Sequence, residues 1–171
     1  QTIRALGRIP EAGGMVPIGH AGRTAELAVA VGGDLGLGGR ALDRIEYAAL
    51  LHGIGRLVLA NPSVAAGHHT PSDISGWGAT IIGEAKHLSQ VAELVSVMHG
   101  PYRRPGEERD PELSREAHVV RVVSAYDTEI ASGRAPLEAI ETLHRGAAYD
   151  FDPDVVAILR RVLERRGVIA A

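Results

Sequence analysis

Apolar residues in this chain recur at helical spacing, and almost nowhere with the alternation that a half-buried strand needs. Val91, Leu94, Val95 and Met98 fall at i, i+3, i+4 and i+7, so they share one face of a helix predicted to end near His99. Leu137, Ile140 and Leu143 form a second stripe, and Val155, Val156, Leu159, Val162 and Leu163 a third. Residues 114–132 contain the β-branched pairs Val119-Val120 and Val122-Val123 but no breaker, and are read as a buried helix. Aromatic residues make up only 4% of the chain, and no alternating run is bounded by hairpin turns. The fold class that follows is all-α, with six or seven helices in one domain over residues 1–171, of which residues 1–16 are a candidate linker from a larger protein.

Boundary signals agree with the stripes. Thr70-Pro71-Ser72-Asp73 offers a hydroxyl cap, a proline at the first helical position and an early acid. Asp152-Pro153 opens the last helix in the same way, Pro136 begins the helix carrying Leu137, and Gly146 and Gly167 are stops. Gly32-Gly33 and the glycines at 36, 38 and 39 are expected to end the first long helix. Residues 100–113, with three prolines, form the longest irregular connection, of a kind that is often functional.

Composition narrows the function classes. The chain has no cysteine, which excludes disulfides and thiolate metal sites and fits a cytoplasmic setting. A net charge of -3 gives no general drive toward nucleic acid or an acidic membrane, and no apolar run is long enough to span a bilayer. The opening Gln1-Thr2-Ile3-Arg4 lacks an initiator Met and reads as the edge of a larger multidomain protein.

The eight histidines carry the chemistry that remains. His20 precedes an apolar-periodic helix, His52 ends the run Tyr47-Ala48-Ala49-Leu50-Leu51, and His99 closes the stripe that begins at Val91. Imidazoles at such helix ends can converge on one pocket and hold a divalent metal. Each can equally be a capping or core residue.

The order of short motifs resembles the HD-GYP members of the HD phosphohydrolase superfamily. Ala48-Ala49-Leu50-Leu51-His52-Gly53-Ile54-Gly55-Arg56 is similar to their "AALLHDIGK", and His20-x-x-Arg23 to their "HxxR". Val122-Val123-Ser124-Ala125-Tyr126-Asp127 resembles "VADVYD", and the segment from Leu143 through Phe151-Asp152-Pro153 to Val156 resembles their closing "LREGAGTQFDPEVV". The resemblance implies an all-helical fold in which His and Asp side chains surround two or three metal ions that activate water against a phosphodiester such as cyclic di-GMP.

The departures from that pattern fall on the ligands. The aspartate after the second histidine is Gly53, and the lysine that follows is Arg56. The "HPxxG" histidine aligns with Ile74 while its glycine remains as Gly78, and the "HHE" pair aligns with Met98 and His99. The first aspartate of "DxxD" is Ser124, the second remains as Asp127, and Tyr102-Arg103-Arg104-Pro105 stands in the region of the missing "GYP". The remnant metal ligands are thus His20, His52 and His99, expected to be empty, and the remnant catalytic positions are His52, Gly53, Arg56, Ser124 and Asp127.

A centre that loses its carboxylates loses the charge that offsets two dications. The expectation is therefore a catalytically degenerate HD-GYP-like domain with no resident cofactor, acting in signalling as a regulatory, dimerisation or ligand-sensing module. The alternative is a single-metal phosphohydrolase or cyclic di-GMP phosphodiesterase, with one divalent ion on the three histidines and Arg56 beside the phosphate. Expected partners are a second copy in a homodimer or a cyclic dinucleotide, without direct nucleic-acid or membrane contact.

Arg103 and Arg104, with Arg109, offer a phosphate contact, although Glu107, Glu108 and Asp110 are close enough in sequence to pair with them. The pairs Arg160-Arg161 and Arg165-Arg166 are read as complements to a helix dipole. His68-His69 are expected in an exposed loop, and Trp77 and Tyr126 as packing residues.

Overall fold

The computed structural model describes residues 1–108 and 114–170. Arg109 and Asp110, and whatever pairing they make with Arg103 and Arg104, lie outside the described residues. Among the described residues there is no strand; the single parallel bridge joins Ala147 to Phe151 inside a turn.

Two short helices, α1 (Thr2–Gly7) and α2 (Ile9–Ala12), lead into α3 (His20–Asp34) and α4 (Arg40–Leu51). A 3-10 segment, Ile54–Ala60, and the short α5 (Pro62–Ala65) precede α6 (Pro71–Gly83). A 3-10 turn at Lys86–Leu88 opens α7 (Ser89–Val97), and α8 (Arg115–Ala131), α9 (Pro136–Arg145) and α10 (Pro153–Arg165) complete the chain. Seven of these, α3, α4 and α6 to α10, run nine residues or more, which fits the expected six or seven.

α3 lies along α4, and α8 packs on both; α6 pairs with α7 and with the 3-10 segment, while α10 closes over α3, α8 and α9. The predicted stripes form the core: Val95 is 0% exposed, Met98 1%, and Val155, Leu159 and Val162 0%. α8 is buried through Val119, Val120, Val122 and Val123, so tertiary packing overrides the strand preference of its β-branched residues.

Three readings need correction. Leu137 is 44% exposed, and Ala139, Ile140 and Leu143 form the buried face of α9 instead. α3 ends within the expected glycine run, at Asp34 with Gly36 at φ +80° beyond its C-cap, but Gly32 and Gly33 lie inside the helix; Gly32 packs against Leu42 and Ile45, where an added Cβ would meet methyl carbons at 3.0 Å. The first sixteen residues, read as a candidate linker, hold α1 and α2, and Gly7 sits so close to α4 that a Cβ there would lie 2.4 Å from the Leu50 carbonyl oxygen.

The capping signals are realised. Thr70 Oγ1 accepts from the Asp73 backbone N–H at 3.1 Å, and Asp73 returns a hydrogen bond to the Thr70 N–H at 2.7 Å. The Asp152 carboxylate accepts from the Asp154 backbone N–H at 2.9 Å. Thr70→Ala removes one orphan-donor contact at the exposed start of α6 and should cost about 1 kcal/mol in urea denaturation; an unchanged midpoint would contradict the cap's role.

Candidate functional site

The residues singled out in α3, α4 and α8 converge because those helices are mutual neighbours. His20 is the first residue of α3, His52 caps the C-terminus of α4, and Ser124 and Asp127 lie one turn apart on α8. Gly19, at φ +79°, offers no side chain to cap α3. The buried Glu11 of α2 does so from a distance, accepting from the backbone N–H groups of Gly19 at 2.9 Å and Ala21 at 3.0 Å. That remote cap fixes the turn that presents His20.

Hydrogen bonds determine the tautomers. The Ala49 carbonyl can only accept, so His52 Nδ1 carries a proton and donates to it at 2.8 Å, leaving Nε2 bare. Ser124 Oγ donates to that Nε2 at 3.0 Å. His20 Nδ1 donates to Asp127 Oδ2 at 2.6 Å, and Arg23 grips the same carboxylate with Nε at 2.7 Å and Nη2 at 2.9 Å. His20 Nε2 and His52 Nε2 face each other at 3.0 Å.

His20, His52 and Ser124 open onto a cavity of 530 Å³, also lined by Arg56, His99 and Arg121. Burial, then His20, then His99 and Arg56 hold the His52 imidazole down to about 3, against a hydrogen bond to Ala49 that favours its charged form. Burial, then Arg121 and Arg56, hold His99 down to about 4. Both rings are therefore neutral at physiological pH. Burial works against ionisation of Asp127, yet its hydrogen bonds to His20 and Arg23 leave its carboxyl below the usual range.

The remaining positions sort cleanly. Ile74 lines the cavity as an apolar wall, whereas Met98 is buried in the core. Gly53 is close by and contributes no donor atom. Arg103 and Arg104 do not line the cavity: the Arg103 guanidinium lies 5.1 Å from the centre of the Tyr149 ring, and Arg104 is exposed. His69, read as a loop residue, reaches the cavity wall, holds the Val64 carbonyl through Nε2 at 2.6 Å, and meets the half-buried Trp77 edge-on. Sequence reasoning passed over two contributors, Glu11 and Arg121. A cation in the middle of the apolar run Val119-Val120-Arg121-Val122-Val123 was the available signal for Arg121, since such a residue is rarely enclosed without a task.

A helical bundle with histidines at the ends of adjacent helices and an acid one turn along a third defines the class, and the chain belongs to the HD-domain family, whose model matches residues 18–129. Among solved structures it is similar to Bd1817, an HDG"Y"P protein from Bdellovibrio bacteriovorus, with a TM-score of 0.64 at 20% identity. That likeness is one of fold. It covers 85% of this chain and 51% of Bd1817, so the chain spans about half that protein's length. No curated protein matches the sequence.

The donor set does not fit the two- or three-metal centre that the HD-GYP resemblance implies. Gly53 offers nothing, Ser124 offers a neutral hydroxyl, and Asp127 has both oxygens engaged by Arg23 and His20. Two dications need bridging or terminal carboxylates to offset their charge. The cavity supplies two guanidiniums instead.

Proposed function

We propose that this domain is a catalytically degenerate HD-GYP-like module that acts in signalling by sensing a ligand in the remodelled pocket. The observation that carries the reading is the charge inventory: the neutral imidazoles of His52 and His99 and two arginines line the space where a hydrolytic centre needs carboxylates, and the lining carboxylate Glu129 is ion-paired with Arg134. Dimerisation and attachment to further domains are compatible with that role. The test is turnover. Purified protein supplied with Mn²⁺, Fe²⁺ or Zn²⁺ should hydrolyse neither cyclic di-GMP nor a generic aryl phosphodiester above the level of a His52→Ala control. Metal-dependent turnover abolished by that substitution would overturn the proposal.

A second reading has one observation in its favour. The convergence of His20 Nε2 and His52 Nε2 at 3.0 Å is a geometry that a single cation bridging them would also stabilise. The missing acids can be put back to examine it. A Cβ at Gly53 would meet only Pro10 and Val16 at ordinary contact distance, 4.0 Å, so Gly53→Asp fits without displacing backbone. Gly53→Asp combined with Ser124→Asp should raise bound divalent metal well above the parent level. No gain, with the fold intact by circular dichroism, would mean that the geometry no longer supports a metal centre.

A further inference from the structure

Among the described residues, two guanidiniums that line the cavity make no ion pair with a carboxylate. Arg121 projects from the buried helix α8, and among the described residues its side chain makes one hydrogen bond, Nη1 donating to the Gly100 carbonyl at 2.8 Å. Its guanidinium carbon lies 5.3 Å from the centre of the Phe151 ring. Burial lowers the affinity of Arg121 for its proton, and Asp150 offsets this only through longer-range attraction, without an ion pair. Among the described residues the Arg56 side chain makes no hydrogen bond or ion pair. Both cations line the same cavity as His99.

Two acids beside the cavity are already matched. Asp127 is held by Arg23, and Glu129, which lines the cavity, is ion-paired with Arg134. Among the described residues, two half-buried cations therefore face one space without an ion-paired carboxylate, an arrangement that an anionic ligand would complete. Guanidinium forks match the tetrahedral oxygens of phosphate. Beside them, Met15, Val16, Pro17 and Phe151 form an apolar wall, and 530 Å³ is room for a small organic molecule.

We infer that Arg121 and Arg56 form a metal-independent oxyanion site, which takes the phosphate group of a small phosphate monoester whose apolar or aromatic body rests on the wall of Met15, Val16 and Phe151. This rests on the ligand-sensing reading above and assigns its ligand class. It differs from metal-mediated phosphate binding in that the guanidiniums contact the oxygens directly.

Isothermal titration calorimetry on the purified chain, in EDTA, tests it with inorganic phosphate, phenyl phosphate and phenol. Saturable binding of both phosphates is expected, phenyl phosphate the tighter and phenol undetectable. Arg121→Gln and Arg56→Gln should each weaken phenyl phosphate at least tenfold, while Arg161→Gln, on the exposed face of α10, leaves it unchanged. Thermal melts of the unliganded variants establish folding. Arg56, having no side-chain partner among the described residues, provides the variant least able to disturb it. No phosphate binding in EDTA, or binding indifferent to both substitutions, would overturn the inference. If phosphate binds only after metal is added and is then turned over, the ligand-sensing reading fails as well; absence of binding without turnover removes this site alone.

Discussion

Gly55→Ala is expected to leave the chain largely unfolded in the absence of denaturant. A Cβ at Gly55 would stand 1.9 Å from the Ile74 carbonyl oxygen and 2.7 Å from the Gly78 backbone nitrogen. Both are main-chain atoms inside α6, so no rotamer change relieves the overlap. The 3-10 segment Ile54–Ala60 would have to lift off α6, exposing the buried Ile54 and separating the two walls of the cavity. Damage on that scale exceeds about 4 kcal/mol, a large share of the ~5–15 kcal/mol by which domains are stable. Gly78 supplies the internal comparison: its Cβ would approach no nearer than 3.3 Å, to the Gly55 nitrogen, so Gly78→Ala should be milder by several kcal/mol. Circular dichroism melts of the two variants decide the matter. A Gly55→Ala protein melting within a few degrees of its parent would show that this backbone contact is wrong.

Asp127→Asn should be the next most damaging substitution, at about 3 kcal/mol, because it leaves a buried, hydrogen-bonded set without its charge. The Asp127 side chain is 8% exposed and that of His20 6%, whereas Arg23 is 48% exposed and recovers hydration when released. Loss therefore falls on the His20 contact, and Arg23→Gln should cost only about 1 kcal/mol. The pH dependence follows from the lowered carboxyl of Asp127. Its contribution is complete above the ordinary carboxylate value of 3.8 and is lost as pH falls through the lower folded-state value. The stability gap between parent and Asp127→Asn, measured by urea titration, should be widest near neutrality and close in acid below that point. A gap that does not narrow in acid would mean the carboxylate charge is not what the neighbours hold.

These two predictions separate what the motif residues do. Gly55 and Gly78, both kept from the motifs this chain resembles, meet each other where the 3-10 segment crosses α6. Asp127 ties α8 to α3 through His20 and Arg23. Retained beside them are the histidines His20, His52 and His99, while the departures from the resembled motifs fall at Gly53, Ile74, Met98 and Ser124.

Much of this was legible in the sequence because it depends on local rules. Thr70 and Asp152 declare helix starts through oxygens placed two or three residues before an orphan N–H, and the stripe from Val91 to Met98 declares a buried face. The convergence of His20, His52 and Asp127 was accessible only through the resemblance, since residues 107 positions apart meet through tertiary packing. α1 and α2 escaped notice because they are too short to carry a stripe; α1 is stabilised by the fit of Gly7 against α4, which no periodicity records. Gly32 misled for a related reason, since a glycine that permits two helices to approach resembles one that ends a helix. Arg103 and Arg104 were associated with the pocket through the resemblance, whose GYP region they occupy, whereas Arg121 lines it from within α8.

The claim on which the rest depends is that the charge in this pocket no longer suits a metal centre. Elemental analysis of protein purified without chelator, normalised to chain concentration, addresses it without reference to any substrate. The account predicts divalent transition metal well below one ion per chain, unchanged by dialysis against Mn²⁺ or Fe²⁺. Two ions per chain, retained through gel filtration and lost on His52→Ala, would contradict it.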